Sequence, residues 1–255
     1  MAIGGLCLLT GCITRDSGCL DPEAASFDIT ADKACDGCCT YPTISLALTQ
    51  KWHGQNFSTD STYYDSHQLP FQIHDIQFFL SSWSWHDLEQ VWSTVDSTTV
   101  ACGSDSLTYT KDIALVDPQH FSFTLGTVRK AVQMDSLHLY LGLTEDFSCL
   151  DPASSTTPSF LTSGSTLWNP TTNMLNSVRL VINRNPQDSL LDTLWIQETL
   201  PVTTPYAYDF IRGKNTTLRL TLDYGVWFQS ADVMDSATFV QSLRDHWRES
   251  IFKTE

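Results

Sequence analysis

The spacing of apolar residues constrains this chain more than any other feature. From residue 43 onward they recur at every second position, in short runs. Ile44, Leu46 and Leu48 alternate with polar neighbours. Ile76, Phe78 and Leu80 share one face of a run whose other face carries Phe79, Ser81, Trp83 and Trp85. Phe121, Phe123 and Leu125 repeat the pattern, as do Leu137, Leu139, Leu141 and Leu143 with His138 and Tyr140 opposite. Val178, Leu180 and Ile182 alternate around Arg179, and Leu218, Leu220 and Leu222 around Arg219 and Asp223. A period of two sends successive side chains to opposite faces of an extended strand. Many such runs, separated by segments rich in Ser, Thr, Asp, Gly and Pro, predict an all-β fold: an antiparallel β-sandwich in which each strand buries one face. No strand–helix alternation occurs, which argues against a doubly wound α/β fold. Residues 93–106 and 150–173 read as long loops. Cys102 and Cys149 sit at their edges, where a disulfide would reduce loop freedom. Val240, Leu243, Trp247 and Ile251 follow helical spacing, and Asp235 or Ser236 can cap, so a short C-terminal helix is expected.

The 255 residues are 42% hydrophobic, enough to build a real core and to exclude a wholly disordered chain. Fourteen Lys and Arg stand against 29 Asp and Glu, a net charge of −15. A non-specific nucleic-acid binder needs the opposite sign to neutralise phosphates, so no nucleic-acid partner is expected. No stretch of 18 apolar residues is present, and no transmembrane helix is expected.

The apolar run from Ile3 to Gly11 has the length of a signal-peptide core. Leu9-Thr10-Gly11-Cys12 resembles the bacterial lipobox, which implies cleavage before Cys12 and lipidation of its thiol. The expected organisation is a signal peptide at 1–11, a lipidated Cys- and Asp-rich segment at 12–41, and the sandwich at 42–255. An acylated Cys12 would tether the protein to a membrane without a spanning helix. Six further cysteines remain as disulfide candidates: Cys19, Cys35, Cys38, Cys39, Cys102 and Cys149. An even number in an exported chain fits up to three bridges, with connectivity open. Zinc at Cys35, Cys38 and Cys39 is disfavoured, since no His lies nearby. Residues 18–41, from Gly18-Cys19-Leu20-Asp21-Pro22 to Gly37-Cys38-Cys39-Thr40-Tyr41, resemble a Cys-bounded module of secreted proteins of the Bacteroidota. Asp21, Asp28, Asp32 and Asp36 could ligate calcium or form Asx turns, and the turns are favoured.

No Gly-x-Ser-x-Gly, phosphate-binding loop, His-Glu-x-x-His or dinucleotide fingerprint is present, and the domain is read as non-catalytic. The histidines carry more information. His53, His67, His74 and His86 cluster in the first part of the sandwich, interleaved with Trp52, Trp83 and Trp85. Imidazoles from different strands can hold copper or zinc. The candidate metal ligands are His53, His74 and His86, with Trp85 or Trp83 beside them. Taken singly, each His also fits a surface or core role, and the Trp pair fits packing on a sheet face.

A longer resemblance runs over residues 43–252. Its pieces are Trp52-His53-Gly54-Gln55, Tyr63-Tyr64, residues 73–82, Leu115-Val116-Asp117, Phe123-Thr124-Leu125-Gly126, Leu139-Tyr140-Leu141-Gly142-Leu143 with Asp151-Pro152, and Leu220-Thr221-Leu222-Asp223-Tyr224 through Trp227-Phe228. In this order they resemble the MbnP-like family. The resemblance implies an exported β-sandwich, and for some members copper held by two His and an oxidised Trp. The family's Gly-Met-Tyr-Trp-x-Trp stretch corresponds here to Asn173-Met174-Leu175-Asn176, without Trp. Two functions are therefore expected. One is a copper-binding lipoprotein of the outer membrane, at its periplasmic or cell-surface face. The other is a metal-free surface module that contacts an outer-membrane or surface protein, or a glycan, through its loops. Asp-Ser or Asp-Thr steps at Asp60, Asp96, Asp105, Asp135, Asp188, Asp192 and Asp235 resemble O-glycosylation sequences of the Bacteroidota.

Overall fold

The computed structural model describes residues 16–59, 61–87, 90–144, 147–150, 157–158, 161–162, 165–169, 171–172 and 174–254. The expected signal peptide, Cys12, Asp60, Asp151-Pro152 and Asn173 lie outside the described residues.

Two sheets form the sandwich. The smaller runs in the order Ser122–Thr127, Thr43–Trp52, Thr216–Asp223, Ile251–Lys253, with Gln55–Asn56 folded back on Thr43–Trp52. The larger runs Asp192–Ile196, Val178–Asn183, Pro70–His86, Gln133–Leu141, Leu200–Asp209. Pro70–His86 also pairs with the short strands Thr62–Tyr64, Val91–Ser93 and Ala114–Val116. The alternating residues meet between the layers. Ile44, Leu46, Leu48, Leu218, Leu220 and Leu222 from one sheet share a core with Ile76, Phe78, Leu80, Leu137, Leu139 and Leu180 from the other. Each such side chain taken out of water stabilises the fold by about 1.5–3 kcal/mol, which makes this layer the main source of cohesion. Among the described strands of the sandwich, one pairing departs from the antiparallel expectation: Thr43–Trp52 and Thr216–Asp223 are parallel. They are the first and last long strands, so no hairpin dictates their relative direction.

Two bulges in Pro70–His86 alter its side-chain parity. Val181 pairs Asp75 while Ile182 pairs Ile73, so His74 is the extra, exposed residue. Tyr140 pairs Ser81 while His138 pairs Ser84, and within that step Ser82 takes a φ of 53°. A one-residue insertion exchanges the two faces of everything that follows. Trp83 and Trp85 consequently join Leu80 in the main core, correcting the expectation that they share the face of Phe79.

Phe79 points to the outer side of the large sheet, into a second cluster with Tyr109, Phe147, Leu150, Leu161 and Leu167. This cluster corrects the reading of residues 93–106 as loop. Ser97–Cys102 and Asp105–Thr110 form a hairpin, turned at Gly103 with φ +62°. Cys102 bonds to Cys149, cross-linking the hairpin to the segment that covers Phe79. The other bridges are Cys19–Cys39 and Cys35–Cys38. In the N-terminal segment Asp21 accepts the N–H of Glu23 and Asp28 that of Thr30, which are Asx turns. The segment is docked on the sandwich through Glu23, which accepts the N–H of Ala131 at 3.0 Å and pairs with Arg212 at 3.0 Å.

The C-terminal helix spans Ser236–His246, and Asp235 caps it by accepting the N–H of Ala237 at 2.9 Å. Phe239 and Leu243 face the core, and Trp247 follows in a short 3₁₀ turn. Ile251 is not helical but opens the last strand of the small sheet, where it pairs Leu222. Among the described residues no helix is long and apolar enough to cross a membrane.

Candidate functional site

The Thr62–Tyr64 and Pro70–His86 strands are joined by a turn that begins at Asp65. The residue is only 3% exposed. Oδ1 accepts the N–H groups of His67 at 2.9 Å and Leu69 at 2.8 Å, closing the turn. Oδ2 accepts the N–H of Val233 at 3.0 Å, from a loop 168 residues away. Ser66 reinforces the contact: its hydroxyl donates to the Ala231 carbonyl at 2.6 Å. A buried carboxylate is tolerable when N–H donors satisfy it, and here three do so.

This stitch brings Asp232 to the turn. Asp232 accepts the N–H of Met234 at 2.8 Å, and its own N–H donates to Thr238 at 3.1 Å. Ligand atoms of Asp65, His67 and Asp232 lie within 4.8 Å of one another. Among the described residues these three are the only His, Cys, Asp or Glu group so gathered. Two carboxylates and an exposed imidazole make an oxygen–nitrogen donor set without sulfur. His67 belonged to the histidine cluster seen in the sequence, but Asp65 and Asp232 did not stand out. The Asp65-Ser66-His67 turn is a local signal; the arrival of Asp232 is a product of tertiary folding.

The four ligands expected from sequence are not brought together. His53 and Gly54 form a two-residue turn with φ values of 45° and 78°, and both their N–H groups donate to Asp223, at 2.7 and 2.8 Å. The His53 ring lies over Gly225; a Cβ there would sit 2.7 Å from Nδ1. His53 and Asp65 do line one surface depression. His74, the exposed bulge residue, lines a separate open groove of about 770 Å³ to which both sheets contribute residues. His86 stacks on His138 on the outer side of the large sheet, ring centroids 3.7 Å apart. Trp85 points the opposite way into the core, as strand alternation requires. The buried indole N–H groups of Trp83 and Trp85 have no hydrogen-bond acceptor among the described residues. His138 is bonded to Thr203 at 2.7 Å, and burial, together with the neighbouring His86, lowers its pKa.

In the groove, Gln50 is fixed at both ends. Its Nε2 donates to the Asp117 carbonyl at 2.8 Å, and its Oε1 accepts the Tyr224 hydroxyl at 2.9 Å. Tyr224 is fully buried, and burial pushes its phenol well above the ordinary value, so it remains a donor.

No protein-family model matches this sequence, and no curated protein matches it. Among solved structures, MbnP from Methylosinus trichosporium aligns over 74% of this chain and 78% of its own, at 14% identity and a TM-score of 0.46.

Proposed function

We propose that this chain is an exported, lipid-anchored, non-catalytic MbnP-like protein. In this reading it holds a divalent transition metal, copper foremost, at Asp65, His67 and Asp232. The convergence of those three side chains is the observation that carries the proposal. The donor set fits the ion. Oxygen and imidazole nitrogen suit Cu²⁺ and Zn²⁺ rather than the softer Cu⁺, and Cu²⁺ binds most tightly to a given nitrogen–oxygen set. The three N–H bonds on Asp65 are the kind of outer contact that orients a ligating carboxylate. With three protein ligands the ion would keep exchangeable positions, which suits binding and transfer rather than a closed structural site. Export is supported by the lipobox and by three disulfides, which persist in oxidising compartments.

Calorimetric titration of metal-stripped protein with Cu²⁺ and Zn²⁺ tests the reading. The expectation is saturation by about one equivalent, with Cu²⁺ tighter. His67→Ala is expected to weaken binding at least about tenfold. Equal stoichiometry and affinity in His67→Ala would overturn the site. Fatty-acid labelling that is lost in Cys12→Ser tests the anchor, and labelling that persists would exclude it.

A further inference from the structure

We propose that the open groove lined by residues of both sheets binds a neutral oligosaccharide. This goes beyond the metal site and does not rest on it, because the groove shares no residue with Asp65, His67 or Asp232.

The groove's volume of about 770 Å³ falls within the range of small-molecule sites. Its walls come from both layers. Gln50 stands on the small sheet, and His74, Asp75 and Gln77 stand on Pro70–His86 of the large one. The connection at 117–121 forms the mouth, with Gln119 and Phe121.

The lining excludes several ligand classes. Among the described residues no Lys or Arg lines it, so a phosphate or carboxylate ligand would find no Lys or Arg partner there. The net charge of −15 adds general repulsion of anions. Nor do the two carboxylates form a cation site, since among the described residues neither belongs to a gathered group of His, Cys, Asp or Glu ligand atoms. Asp75 is paired with Arg179 at 2.5 Å. Asp117 accepts His120 Nδ1 at 2.8 Å and the N–H groups of Gln119 and His120 at 2.7 Å each. A hydrocarbon ligand would strand these polar groups, each at a cost of about 1–3 kcal/mol.

What remains is a mixed set of donors and acceptors on fixed supports. Sugar hydroxyls both donate and accept, and so can pair with amides and carboxylate oxygens alike. Phe121, 54% exposed at the mouth, offers a flat apolar face for the C–H side of a pyranose ring. The bulge at His74 is what turns an imidazole into this groove rather than leaving it in the ladder.

The test is calorimetric titration of the full chain, in EDTA, with cellohexaose, mannohexaose and chitohexaose, and with galacturonic acid hexamer as the anionic comparison. At least one neutral hexamer is expected to bind with a Kd below about 10 mM. Phe121→Ala and Gln119→Ala, both at exposed positions, are each expected to weaken it about tenfold. Retention on insoluble cellulose, mannan or chitin identifies a polymer-borne glycan. Binding of the hexamer without such retention identifies a free one, and both outcomes support the proposal. Failure of every neutral hexamer, preference for the galacturonate, or unchanged affinity in both variants would overturn it.

Discussion

Replacing Asp65 by Asn exchanges one carboxylate oxygen for an NH₂ group and tests both roles assigned to this side chain. The carboxylate accepts three N–H bonds, from His67, Leu69 and Val233, in a nearly solvent-free position. An amide can keep its oxygen toward His67 and Leu69, but its NH₂ then faces the N–H of Val233. One buried donor is left unsatisfied, costing about 1–3 kcal/mol, and the two retained bonds lose their charge assistance, about 0.5–1 kcal/mol each. The sum is about 2–5 kcal/mol, which lowers Tm by about 5–15 °C for a domain of this size. Urea unfolding followed by Trp fluorescence measures it, with an unchanged m-value showing that native and unfolded compactness are preserved. His67→Ala is the contrast. Its ring is exposed, so its removal is expected to alter stability by no more than about 0.5 kcal/mol while weakening metal binding. Free Cu²⁺ at a hundred times the native Kd should stabilise the native protein by about 2.7 kcal/mol, and His67→Ala by no more than about 1.4 kcal/mol. A loss below about 0.5 kcal/mol in Asp65→Asn would refute the claim that this carboxylate ties the two loops together.

Gly225→Ala would place a Cβ 2.7–2.8 Å from the His53 ring, so a loss of about 1–3 kcal/mol is expected, largely recovered in the double variant with His53→Ala; no recovery would mean the ring is not the obstacle. Burial lowers the pKa of His138, with His86 contributing, so the unfolded chain takes up this proton first as pH falls. Stability should therefore be full above the ordinary value of 6.5 and decline as pH drops through it toward the lowered value; Tm measured against pH should show a shallower decline in His138→Gln. Replacing Cys102 and Cys149 together by Ser releases a crosslink spanning 47 residues, worth up to about 4 kcal/mol. Hydrogen exchange should accelerate first around Phe79 and the Ser97–Thr110 hairpin, and uniform acceleration would argue that the hairpin is not a separate unit.

Much of the sandwich was legible because its strands obey a local rule. The runs around Leu46, Leu180 and Leu220 alternate, and each delivers its apolar row to the core. The rule fails where an inserted residue breaks parity, and nothing in Ser81-Ser82-Trp83 announces that Ser82 will bulge. The Ser97–Thr110 hairpin escaped because its Ser and Thr residues satisfy loop and strand preferences equally, and its burial depends on the second cluster. Ile251 kept helical spacing but was captured by an open edge of the small sheet. The candidate site was least legible for a related reason. His53, His74 and His86 are close in sequence, yet a turn, a bulge and a strand end aim them at different places. Asp65 and Asp232 meet only because a buried carboxylate recruits the Val233 N–H from the far end of the chain.

Pulsed electron paramagnetic resonance of the Cu²⁺-loaded protein tests the central claim most directly, because it counts the imidazole nitrogens on the ion. One imidazole, with oxygen ligands completing the set and the nitrogen signal lost in His67→Ala, is the predicted spectrum. Two coupled imidazoles, or a signal unchanged by that substitution, would place the copper elsewhere on the sandwich.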